Sequence, residues 1–188
     1  MKFSIVAATL AVGAHAFVAT PVERSPPTLV ERDLATVTSV LADVKTGFNN
    51  LQAAAAAFNG DPGPLKAEAA AVISKVESGT IAVQNMTPLT VNECLSLVGP
   101  SNDLAKQGQS LVDELKSRLN DVQTAKECGT VLDFLNTGLT DAKALIAAIK
   151  AKSPTAVQSV VQTQGDKITK PLQDGQAAFG PGKCVNAA

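Results

Sequence analysis

Between Asp33 and Asn59 the apolar side chains fall at Leu34, Val37, Leu41, Val44, Phe48, Leu51, Ala55 and Phe58, advancing by alternating steps of three and four. That spacing lays one apolar stripe along an α-helix and leaves the other faces polar. The same pattern returns after each cluster of turn formers. A second stripe runs through Leu65, Ala69, Val72, Val76, Gly79, Val83 and Met86, and a third through Leu104, Gly108, Leu111, Leu115, Arg118 or Leu119, and Val122. The fourth carries Leu132, Leu135, Leu139, Ala142, Ile146 and Ile149. A weaker fifth, interrupted by Gly165 and Pro171, carries Val157, Val161, Gln164, Ile168, Leu172, Gly175 and Phe179. No run has the two-residue alternation of a strand, so the expected fold is all-α.

The links between stripes are short, which makes consecutive helices antiparallel and predicts an up-and-down bundle of about five amphipathic helices. A coiled coil would also satisfy the spacing, but the frequent breaks favour a closed bundle. Asp61 is placed to cap the second helix with Pro62 in its first turn, and Gly99-Pro100 is expected to kink or break the third helix before Ser101. Ser153-Pro154 is the next cap signal. Val40, Ile73, Val112, Phe134 and Leu145 stand beside the stripes and widen them. Central helices that bury more than one side explain such width, as does a hydrophobic surface or pocket. With many core positions Ala or Gly, the interior either packs closely or leaves a slot for an alkyl chain.

The N-terminus combines Lys2, an apolar run from Phe3 to Val12 and the small residues of Ala14-His15-Ala16. This reads as a secretory signal spanning residues 1–16 and cut after Ala16. The apolar run is too short to cross a bilayer, which takes about 20 residues. Residues 17–32, with Pro21, Pro26 and Pro27, read as a disordered leader or a propeptide ending at Arg32. The helical domain is expected over 33–182. A tail of residues 183–188 follows, without the hydrophobic stretch that a C-terminal lipid anchor requires.

Composition removes several functions. Of the 188 residues, 16 are Lys or Arg and 17 Asp or Glu, and losing Lys2 with the signal takes the net charge from −1 to −2. No basic face is left for nucleic acid, and a chain with 3% aromatic residues and no Trp or Tyr has little with which to stack bases. The sole histidine, His15, leaves with the signal, which excludes a Ser/His/Asp triad and a His-containing metal site. There is no nucleophile elbow, phosphate loop or metal motif, so neither catalysis nor a cofactor is expected. Carboxylates such as Asp113, Glu114 and Asp121 alternate with Lys116, Arg118 and Lys126, as on a solvated helix face.

Secretion permits disulfides, and alternating helix directions select a pair from the three cysteines. Cys128, between the third and fourth helices, and Cys184, after the fifth, share one end of the bundle; Cys94 lies at the other. A helix of about 25 residues is roughly 37 Å long, far beyond the approximately 7 Å between Cα atoms that a bridge tolerates. Cys128 is therefore expected to pair with Cys184, and Cys94, within Asn92-Glu93-Cys94-Leu95-Ser96-Leu97-Val98, reads as a small buried hydrophobe. Asn85-Met86-Thr87 is an N-glycosylation sequon at a helix end, although Pro88 works against its use.

The signal, the short leader, Arg32-Asp33-Leu34 at the first helix, Phe58-Asn59-Gly60-Asp61-Pro62-Gly63-Pro64-Leu65 after it and the Ala-rich helices that follow together resemble fungal hydrophobic surface-binding proteins, a family that includes cell wall galactomannoproteins. The likeness runs from Arg32 to Phe179. It implies a secreted, all-helical, non-catalytic protein that adsorbs to hydrophobic surfaces or sits in the cell wall, and some family members are expected to bind fatty acids inside the bundle. The basic pair often found before the first helix and a long Ser/Thr-rich tail are missing, which weighs against propeptide removal and covalent wall attachment. The partners expected are a fatty acid or other apolar ligand, apolar surfaces and, in one alternative, a secreted hydrolase recruited by the adsorbed protein; a structural wall mannoprotein without a ligand is the other. An internal alkyl chain would touch the stripes near mid-helix, at Val44, Phe48, Val72, Val76, Leu111, Leu115, Leu139 and Ile146; Gln164 is either the candidate polar partner of its headgroup or a boundary glutamine that reaches solvent.

Overall fold

The computed structural model describes residues 29–188. The expected signal segment and the expected leader up to residue 28 lie outside the described residues. Seven α-helices follow one another: α1 (Leu29–Ala56), α2 (Gly63–Asn85), α3 (Val91–Ser96), α4 (Val98–Ser117), α5 (Leu119–Thr124), α6 (Cys128–Ala151) and α7 (Gln158–Phe179), with a 3-10 turn at Thr155–Val157. Among the described residues there is no strand.

Helix boundaries depart from expectation where local chemistry is stronger than the stripe. Helix α1 begins at Leu29 rather than Asp33, because no breaker follows Pro27 and four more residues can join the helix. Asp61 does cap the next helix, its Oδ1 accepting from the Gly63 amide at 2.9 Å, but Pro62 is the N-cap residue and Pro64 lies inside the first turn. The third helix breaks at Leu97, not at Gly99-Pro100. Pro100 is tolerated because it sits in the first turn of α4, where a missing N–H costs no intrahelical bond. A second break, at Arg118, carries no proline or glycine signal; its guanidinium reaches the Ala56 carbonyl at 2.7 Å and caps the end of α1. In α7 the helix runs through both Gly165 and Pro171. Ser153 caps nothing: its hydroxyl donates back to the Ile149 carbonyl at 2.7 Å.

The five long helices alternate direction along the chain, as the short links require. Their order around the bundle does not follow the chain. The principal contacts join α1 to α2, α2 to α6, α6 to α7, α7 to α4 and α4 back to α1. This closes a ring in which α1/α2 and α6/α7 are antiparallel and the remaining pairs parallel. Lys66 near the start of α2 meets Glu127 before α6 at 2.7 Å, and the Leu89 amide donates to Lys152 beyond the other end at 2.8 Å. Gln107 on α4 likewise donates to Gln52 on α1 at 2.7 Å, beside the Arg118 bond that joins the ends of the same two helices.

Glycine allows two of these contacts to be close. A Cβ on Gly79 would lie 2.4 Å from Cγ1 of Val40, and one on Gly165 would lie 2.6 Å from Cγ2 of Ile146. The end of the bundle away from the disulfide is closed by α3. Thr90 and Glu93 form a capping box there, with the Thr90 amide donating to Glu93 at 2.7 Å, and the Cys94 thiol rests 3.4 Å from the Ser153 hydroxyl.

Candidate functional site

A ring of five helices does not fill its own axis with backbone, so the axis must be filled by side chains or remain open. Here the side chains are mostly Val, Leu, Ile, Ala and Gly, and they leave a cavity of about 70 Å³ along the axis. Helix α1 contributes Val37, Leu41, Val44 and Phe48, and α2 contributes Val72, Ile73 and Val76. Cys94 of α3, Leu97, and Val98, Ser101 and Leu104 of α4 line the side nearest α3. Helix α6 adds Phe134, Gly138, Ala142, Leu145, Ile146 and Ile149, and α7 adds Val160, Val161, Gln164, Gly165, Ile168 and Leu172.

None of these lining side chains is charged; Ser101 and Gln164 bring a hydroxyl and an amide. The Gln164 Oε1 is buried without a hydrogen-bond partner. A buried amide oxygen left unpaired costs about 1–3 kcal/mol, and it stands on the wall of an otherwise apolar space.

Of the side chains expected on an internal ligand, the cavity gathers Val44, Phe48, Val72, Val76, Ile146 and Gln164. Leu111 and Leu139 are buried elsewhere, and Leu115 lines a separate, smaller space at the disulfide end. The difference is one of level and of angle. Only the first turns of α4 reach the cavity, through Val98 to Leu104, which leaves Leu111 and Leu115 farther along. Leu139 follows Gly138 on α6 and is turned about 100° from it. The widening residues Ile73, Phe134 and Leu145 are on the wall instead, so stripe width was the signal that marked them.

Away from the cavity, Cys128 and Cys184 are joined as a disulfide with their Cα atoms 5.5 Å apart, and Cys94 is free and buried. The C-terminal tail is tied to the same end: the Cys128 amide donates to Asn186 Oδ1 at 3.1 Å. Asn85 and Thr87 of the sequon are exposed at the end of α2. Among the described residues no helix is long and apolar enough to cross a membrane, and no group of three or more His, Cys, Asp or Glu could hold a metal ion.

Residues 34–151 match the family model of hydrophobic surface binding protein A. The chain belongs to this family. Cell wall mannoprotein 1 of Aspergillus fumigatus is 31% identical over 180 residues, covering 95% of this chain and 60% of that protein, so the chain spans less than two thirds of its relative. Ligand binding domain 2 of the Penicillium marneffei MP1 protein, complexed with multiple arachidonic acids, superposes with a TM-score of 0.76 at 25% identity, over 81% of this chain and 99% of that one. Afmp4p in complex with palmitic acid has the same fold, with a TM-score of 0.73 at 20% identity over 78% of this chain and 99% of its own.

Proposed function

We propose that this chain is a secreted, non-catalytic lipid-binding protein of the fungal cell wall or its surroundings, holding the alkyl chain of a fatty acid in the axial cavity. The observation that carries the reading is the cavity itself, apolar on every side contributed by five helices, with the unpaired Gln164 oxygen on its wall. The family assignment supports it, as do relatives solved with arachidonic and palmitic acids. At about 0.8 kcal/mol per buried methylene, the tail of palmitic acid supplies roughly 11 kcal/mol before the costs of association and ordering.

The headgroup follows from the absence of charge among the lining side chains. An ionised carboxylate buried without a cation is expensive. A protonated carboxyl is not, because the Gln164 amide can donate to its carbonyl and accept from its hydroxyl. An acid bound with its head inside is therefore taken up as the neutral form, and one bound as the anion keeps its head at the mouth.

A second reading, adsorption to apolar surfaces, draws on Val91 and Leu95, which stand four apart on the outer face of α3 and are exposed. Lipids extracted from the purified secreted protein and identified by mass spectrometry, together with titration by a fluorescent fatty acid, test the first reading. A native extract free of lipid and a titration without saturation would refute it and leave adsorption.

A further inference from the structure

The space touched by Leu115 lies at the disulfide end of the bundle. It measures about 40 Å³; Leu51, Leu65, Ala69, Leu115, Val122 and Phe134 are among its walls, and the paired Lys66 and Glu127 also line it. Phe134 is common to this space and the main cavity. On three helices the walls of the two spaces form one continuous stripe. Helix α1 runs from Val44 and Phe48 in the first to Leu51 in the second, and α2 runs from Val76 and Val72 to Ala69 and Leu65. On α6 the stripe passes from Ala142 and Gly138 through Phe134 to Val131. Steps of three and four throughout mean that one helix face serves both.

Gln164 lies toward the opposite end. Its neighbour Gly165 packs against Ile146, and the twelve helical steps of α6 from Phe134 to Ile146 span roughly 18 Å. A chain whose head is at Gln164 thus points its methyl end at the Phe134 ring. Beyond the ring, the lining of α2 continues from Val72 back to Leu65, roughly 10 Å more.

We propose that the second space is a distal subsite for the methyl end of a long acyl chain, and that Phe134 is the partition that sets how long a chain the main cavity takes. Rotation of the ring about χ1 joins the two spaces without moving the backbone. The proposal rests on the lipid reading above.

The test is a series of saturated acids from lauric to behenic, measured by displacement of a fluorescent fatty acid from the wild type, Phe134→Ala and Phe134→Ala/Ala69→Phe. In the wild type, affinity stops rising once the chain reaches the ring. Phe134→Ala moves that plateau to longer acids and tightens the longest by about tenfold, the worth of one or two further buried methylenes. Adding Ala69→Phe, which fills the distal space, restores the original plateau. An unchanged plateau in Phe134→Ala overturns the proposal, as does a shift that survives Ala69→Phe. Should Phe134→Ala fail to fold, a behenic acid analogue with a photoreactive terminal group decides the matter on the milder Phe134→Val: labelling at Leu65 to Ala69 is expected there, and labelling confined elsewhere overturns the proposal. Absence of binding by every acid to the wild type removes the lipid reading itself, whereas binding with an unaltered length profile removes the partition alone.

Discussion

Substituting Val76 by Phe separates a lipid-filled bundle from a solid one, because the first loses affinity and the second loses stability. Val76 is 6% exposed on α2, and its side chain faces the cavity beside Val72 and Ile73. A phenyl group there enters unfilled space. If it displaces three methylenes of a bound chain, affinity falls by about 2.4 kcal/mol, or roughly 60-fold in Kd. Stability changes little, since the ring adds apolar contacts and evicts no core side chain. In a solid core the same ring would cost about 1–3 kcal/mol through overpacking, which lowers the melting temperature by about 2–4 °C per kcal/mol in a protein of this size. Fluorescent fatty-acid titration and thermal unfolding of ligand-free wild type and Val76→Phe measure both effects. A variant that unfolds several degrees early while binding palmitic acid as tightly as the wild type would refute the reasoning.

Closing a loop of sequence separation 56 by the Cys128–Cys184 bond is worth about 4 kcal/mol under the chain-entropy treatment. Cys184→Ser should therefore melt well below the wild type in non-reducing buffer, and equal melting would contradict that treatment here. Gly79→Ala should destabilise, although alanine favours helices by about 1 kcal/mol, because its Cβ would stand 2.4 Å from Val40 and Val is stiff at χ1. Adding Val40→Ala should make the pair cost less than the sum of the single changes, and strict additivity would show that the contact is not the cause. The hydrogen bond from Lys66, followed by one with Thr130, holds the Glu127 carboxyl below its ordinary value near 4.5. That contribution is complete above the ordinary value and disappears as pH falls from it through the lowered one. Lys66→Met should flatten the acid limb of the stability curve in that window, and a limb of unchanged steepness would assign the loss to other groups.

Helical periodicity was legible throughout because burying one face of a helix demands it whatever that face meets. The stripes of α1 and α2 gave their inward residues nearly intact, from Val37 to Ala55 and from Val72 to Met86. Chain order with short links was enough to place Cys128 and Cys184 at one end and Cys94 at the other. The break at Arg118 was not legible, since what stabilises it is a carbonyl on α1, 62 positions away in sequence. Nor was the order of helices around the ring. A stripe is equally satisfied by a parallel or an antiparallel neighbour, and the placing of α6 beside α2 and α4 beside α1 rests on how the five apolar faces fit together, with Lys66–Glu127 and Gln107–Gln52 bridging the seams that result. The cavity depends on that order. An apolar pattern states that Val76, Leu111 and Leu139 leave water, but whether each meets a side chain or a void depends on the level at which five helices cross. Leu111 and Leu139 are buried away from the open axis, while Phe134, beside its stripe in sequence, stands where the two voids meet. Hydrophobic burial is non-directional, so periodicity identifies the residues that must be covered and packing geometry chooses what covers them.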